Sequence, residues 1–190
     1  MKKFRPVIIA VILAACAIGF FVYSINKPQK ESAKTETSPL SEIVNRDYTR
    51  NYPGSPRAVV EAYSDIMMFL YNDSSYTDAD LEKICIVARS LLDDELLGNN
   101  PLKNHVQSLK SEISQFKNKY EKMQSYTLPE INDITYFKYK GDECAGAQVS
   151  YFMKTSGGSF AKTFQDFLLR KDPSGKWKIY GFKEVDSTVK

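Results

Sequence analysis

AGAQVSYFMKTSGGSFAKTFQDFLLRKDPSGKWKIYGFKEV, residues 145–185, decides the fold. Apolar and aromatic residues recur with a period of two over 145–154, 159–170 and 176–185, the pattern of strands with one buried face. Ser156-Gly157-Gly158 and Asp172-Pro173-Ser174-Gly175 interrupt these runs as turns. Strands joined by turns this short pair with their sequence neighbours, so the stretch predicts an antiparallel meander. Just upstream, Lys140-Gly141-Asp142 marks another turn, and Ile134 and Tyr136 begin a shorter run. Three strands are expected, with a fourth before them.

Toward the N-terminus the period becomes helical. Ser55-Pro56 reads as an N-cap followed by proline at the first helical position. Val59, Tyr63, Ile66, Met67 and Leu70 then recur at helical spacing until Asn72-Asp73. Thr77 with Asp80 three residues later predicts a capped second helix. Leu81, Ile84, Cys85, Ala88, Leu91 and Leu92 form its apolar face, Asp93-Asp94-Glu95 its solvated last turn, and Gly98 its end. Asn100-Pro101 predicts a third helix by the same capping logic. Its stripe is Leu102, Val106, Leu109, Ile113, Phe116, Tyr120 and Met123, alternating fours and threes. Such a stripe serves either packing against the sheet or coiled-coil dimerisation, and three heptads favour the former. Helices first and strands last predict an α+β fold, with three helices on one face of a curved antiparallel sheet of three to four strands.

Residues 7–23, VIIAVILAACAIGFFVY, hold no charge. Extended through Ile25, the run gives ~28 Å of helix at ~1.5 Å per residue, enough to span a membrane once. Lys2, Lys3 and Arg5 precede it, which predicts a cytoplasmic N-terminus and an extracytoplasmic remainder. Leu13-Ala14-Ala15-Cys16 also resembles a bacterial lipobox, but the residues after Cys16 are apolar where a lipoprotein tether is polar. Residues 26–50 are rich in Lys, Glu, Ser and Thr, as a flexible linker is. The expected organisation is therefore a cytoplasmic tip and anchor over 1–25, a linker over 26–50 and an extracytoplasmic domain over 51–190.

Of the 26 Lys+Arg and 23 Asp+Glu, residues 1–50 hold 8 and 4, leaving 18 against 19. The domain is near neutral, with its lysines interleaved among acids, which argues against nucleic acid as a partner. Cys85 and Cys144 have no metal-site spacing; they are the only pair that could form a disulfide in the domain, and the apolar setting of Cys85 favours reading them as small buried hydrophobes. His105, the one histidine, lies off the apolar stripe, where exposure is expected. Serine catalysis lacks a base and a G-x-S-x-G, and Gly157-Gly158 lacks the spacing of a phosphate loop. No metal, cofactor or catalytic set is expected.

The single catalytic candidate is Asp166, in phase with Phe160, Phe164 and Leu168. If that set faces the helices, Asp166 is a desolvated carboxylate suited to act as a base. If Phe167 and Leu169 form the buried set instead, or Lys162 or Arg170 pairs with it, the role vanishes.

Several segments together resemble a known group of proteins. They are a Ser-Pro helix start after Asn51-Tyr52-Pro53, the run Glu95-Leu96-Leu97-Gly98-Asn99-Asn100-Pro101, Phe167 to Asp172, and Gly175-Lys176-Trp177-Lys178-Ile179-Tyr180-Gly181-Phe182. The chain resembles uncharacterised, membrane-anchored proteins of Gram-positive type whose outer domain is similar to the nuclear transport factor two-like cone. The resemblance covers about residues 50–186. It implies helices wrapped around a bent sheet that leaves a pocket, and it implies no reaction. The function expected is a non-catalytic extracytoplasmic module that binds a small molecule, an envelope polymer or a protein. The alternatives are an enzyme using Asp166, or an assembly subunit that forms a homodimer through the sheet or the third helix.

Overall fold

The computed structural model describes residues 38–185. The apolar run 7–23 and the linker up to residue 37 lie outside the described residues. Among the described residues, no helix is long and apolar enough to cross a membrane.

The described chain opens with helix α1, Pro39–Val44, where a linker was expected. Ser38 caps it by accepting from the Ser41 amide, and Ile43 is buried against the domain. Helix α2, Pro56–Asn72, starts on Ser55, whose side chain accepts from the Ala58 amide, and buries Val59, Val60, Tyr63, Ile66, Met67 and Leu70. Helix α3, Asp78–Arg89, carries the expected capping box between Thr77 and Asp80.

The second helix does not run on to Gly98. After α3 the chain extends, and Leu92 forms a parallel bridge with Ile179. Ile179 donates to the Leu91 carbonyl and Asp93 donates to the Ile179 carbonyl, each at 2.9 Å. Asp93 then caps a separate helix, α4, Asp94–Asn99, accepting from the Glu95 amide at 2.9 Å. Asn100 closes α4 through its side-chain amide, which donates to the Leu96 carbonyl, so it does not cap the next helix. Helix α5, Leu102–Lys119, begins at Pro101 with no side-chain cap.

A further correction follows at Tyr120. Tyr120 and Met123, assigned to the helical stripe, belong to strand β1, Tyr120–Thr127. Strands β2, Thr135–Tyr139, β3, Asp142–Thr155, β4, Phe160–Lys171, and β5, Trp177–Val185, complete the sheet. The expected class, α+β with an antiparallel sheet, holds, with five α-helices and five strands among the described residues where three helices and three to four strands were expected.

The sheet is open and runs β1-β3-β4-β5, with β2 also on β3. β1 pairs with residues 150–155 of β3 and β2 with residues 142–146, so the two share one edge of that strand. The β2–β3 hairpin turns on Lys140 and Gly141, both at positive φ (52° and 95°). That conformation suits glycine and matches the twist of the paired strands.

Side chains of β3 alternate between two faces. Ala145, Ala147, Val149, Tyr151 and Met153 are buried and register with Leu169, Phe167, Gln165, Thr163 and Ala161 of β4. This inner face packs against the helices, and α5 contributes Leu109, Ile113 and Phe116 to the same core. The α5 stripe is thus consumed by intramolecular packing.

Candidate ligand cavity

At one end of the inner face the core is not filled. A cavity of about 240 Å³ lies between α2, α5 and the strands. From α2 come Tyr63, Met67 and Tyr71, four residues apart and so stacked along one helical face. From α5 come Phe116 on the wall, with Glu112, Gln115 and Lys119 at the mouth. Tyr120 and Met123 of β1, Tyr151 and Met153 of β3, and Phe182 of β5 complete the apolar wall. Thr163 and Gln165 of β4 and Glu184 of β5 supply polar edges.

Aromatic packing fixes the walls. Tyr71 stacks on Phe116 with centroids 4.4 Å apart, and Phe116 meets Tyr120 at 5.2 Å. Tyr63 contacts Phe167 at 5.8 Å and Phe182 at 5.6 Å. Such contacts hold rings in place beyond the effect of buried area alone.

The polar groups are few and specific. Tyr71 donates its hydroxyl proton to Glu112 Oε1. The Tyr151 hydroxyl and Ser64 Oγ, both buried, share a hydrogen bond of 2.9 Å. Burial pushes the Tyr151 phenol up to about 12, with the Ser64 bond acting in the opposite sense. Tyr63 and Tyr71 are held well above the ordinary phenol range, first by burial and then by the nearby Glu112 charge. All three phenols stay protonated near neutral pH, so they act as hydrogen-bond partners and do not supply phenolate bases.

Asp166 is not part of this cavity. It alternates with the inward Gln165 and Phe167, pairs in register with Gln148, and accepts from Gln148 Nε2 at 2.8 Å on the outer face. Phe167 and Leu169 are the buried set. His105 is half-buried rather than exposed, with Nδ1 3.2 Å from Arg89 Nη1. A guanidinium only donates, so Nδ1 accepts and the ring proton sits on Nε2. Burial, then the Arg89 charge, holds His105 below its usual value. Cys85 and Cys144 are free and buried, as small hydrophobes would be, and burial pushes the Cys85 thiol up to about 11.

Asp93 departs furthest from its expected setting. Expected in a solvated turn, it is 3% exposed. Arg170 grips it through two bonds, Nε to Oδ2 at 3.0 Å and Nη2 to Oδ1 at 2.5 Å. The guanidinium also lies 4.5 Å over the Tyr180 ring and reaches Glu95 at 3.3 Å.

Sequence reasoning took Tyr63 and Met67 as core and did not single out Tyr71 or Glu112. One signal was available: the inward row of β4 passes from Leu169 and Phe167 to Gln165 and Thr163. Polar residues at core-facing positions mark the place where the core gives way to an accessible space.

No curated protein matches the chain. A family model, that of the domain of unknown function DUF6715, matches residues 1–182. A match over nearly the whole sequence makes this chain a member of the DUF6715 family.

Proposed function

We propose that this protein is a non-catalytic, membrane-tethered module that binds a small molecule in the cavity between α2, α5 and the inner sheet face. The cavity carries the reading: it has apolar and aromatic walls, a few convergent polar groups, and a mouth on one side. Ligand sites have this composition. Its volume suits a compact ligand or one arm of a larger one. The phenols lack the ionisation that acid–base chemistry needs, and Asp166 lies on the other face, which favours binding over catalysis.

The charge-free run 7–23 after Lys2, Lys3 and Arg5 supports a single-pass anchor with a cytoplasmic N-terminus and an extracytoplasmic domain. Helices gathered on one face of an open antiparallel sheet, with a cavity between, are consistent with the nuclear transport factor two-like cone. Protease treatment of intact cells tests the topology: loss of the domain fits, and its full protection contradicts it.

Thermal shifts with small aryl and alkyl fragments test the binding. Thr163→Trp places a large ring at the half-exposed cavity edge. Fragments that raise the melting temperature of the wild type should not raise that of the variant. Equal stabilisation of both, or of neither, overturns the reading.

One observation favours a second reading, assembly through the outer sheet face. Phe152 and Phe160 stack there at 5.1 Å while 40% and 59% exposed. Sedimentation of the wild type beside Phe160→Glu tests it: a dimer that dissociates in the variant supports assembly, and a wild-type monomer at high concentration excludes it.

A further inference from the structure

We propose that the cavity is selective for an organic cation, a small amine or quaternary ammonium with a compact aryl or alkyl body. This rests on the cavity being a binding site, and it assigns the chemistry of the ligand's head.

Glu112 stands at the mouth of the cavity. Among the described residues its one hydrogen bond comes from the Tyr71 hydroxyl, to Oε1, and Oε2 has none. No described Lys, Arg or His lies within ion-pair distance of it. Tyr71 is held in its protonated form and brings no charge. Glu112 therefore keeps an unbalanced negative charge beside an apolar space.

The other charges at the mouth do not cancel it. Lys119 rests its ammonium 5.1 Å over the Tyr120 ring and feels the carboxylate of Glu184. These two oppose each other, which leaves the rim with a net charge of one negative unit from Glu112. The wall beside it is the Tyr71, Phe116, Tyr120 aromatic series.

A carboxylate next to aromatic rings recognises an ammonium ion twice, by a charge-assisted hydrogen bond and by ring quadrupoles. An anionic head would meet repulsion from Glu112, the one charge the rim leaves unbalanced. A neutral head would lose the charged interaction, and closing the mouth would strip water from an uncompensated carboxylate.

Calorimetric titration of the full-length chain at pH 7 with three isosteres provides the test: 2-phenylethylamine, 2-phenylethanol and phenylacetate. The amine should bind about tenfold more tightly than the alcohol, the scale of a hydrogen bond to a charged group, and phenylacetate most weakly. Glu112→Gln, which keeps an acceptor for Tyr71, should abolish the advantage of the amine over the alcohol. Thr163→Trp should abolish binding of both. If the alcohol or phenylacetate binds as tightly as the amine, and Thr163→Trp removes that binding, the cation selectivity is overturned while the cavity stands. Binding of the amine that survives both substitutions, or no binding of any of the three, overturns both.

Discussion

The two ends of one sheet face are built differently. Toward the α3–α4 corner, Leu91, Phe167, Leu169 and Ile179 are almost wholly buried, and the edge of β5 is covered by the bridge from Leu92. Arg170 locks that corner by gripping Asp93. Toward the α5–β1 end, β3 and β4 present Tyr151, Met153, Thr163 and Gln165 to a space that is not filled. The inner face at one end is filled by apolar packing, with an ion pair beside it. The other is walled by rings and flexible thioethers, the residue types that adapt to a guest. A single fold thus separates the part that provides stability from the part left open.

The largest expected effect is at the closed end. Arg170→Met leaves the buried Asp93 carboxylate without its cation, a change that costs about 3–5 kcal/mol, read by urea denaturation. An effect below about 1 kcal/mol would show the corner to be a surface ion pair instead.

Next comes a matched pair of truncations. Leu169→Ala removes a fully buried side chain from a filled region and should cost about 3 kcal/mol. Met153→Ala, whose side chain already borders empty space, should cost about half as much, since it has fewer contacts to lose. Equal losses would remove the distinction between the two ends.

The buried bond between Ser64 and Tyr151 tests how rigid the open end is. Ser64→Ala should cost about 1 kcal/mol and weaken ligand binding, because the Tyr151 ring loses the partner that orients it.

The smallest effect concerns pH. His105 has its folded value below the ordinary 6.5, from burial and Arg89. A depressed base favours the neutral folded form, so its contribution is fully present above pH 6.5 and is lost as pH falls through the lower folded value. His105→Gln should flatten the stability curve below pH 6.5 by a small amount, measured by denaturation across pH. An unchanged slope would place the titration elsewhere.

The closed end and the open end were not equally legible in the sequence. Strands β3, β4 and β5 followed from glycine-bearing turns and a period of two, and α2 and α3 from their caps, because each signal is local. β1 was hidden by its own irregularity. Register shifts between Tyr120 and Lys122 and between Met123 and Ser125 space its buried residues by three, so the strand imitates a helical stripe. No glycine or proline separates it from α5 to break the pattern. Bulges produce this confusion wherever one strand gains residues over its partner. Helix α1 carried the same Ser-Pro signal as α2 but sat in a polar segment with a linker's composition.

The Asp93–Arg170 pair spans 77 positions in the chain, and no local pattern announces a contact of that range. The cavity was less legible still, since a space exists only once α2, α5 and four strands have been assembled. The change from apolar to polar along the inward row of β4, from Phe167 to Thr163, was its one trace in the residues.

The central claim is that the open end accepts a ligand. The methionine methyl groups report on it directly, because Met67, Met123 and Met153 line the cavity while the neighbouring Met68 does not. In the full-length chain labelled at the methionine methyls, titration with 2-phenylethanol should shift the Met67, Met123 and Met153 resonances together, saturably, and leave Met68 in place. Thr163→Trp should remove the response. Methyl resonances that stay fixed, or that shift equally for Met68, would contradict the account.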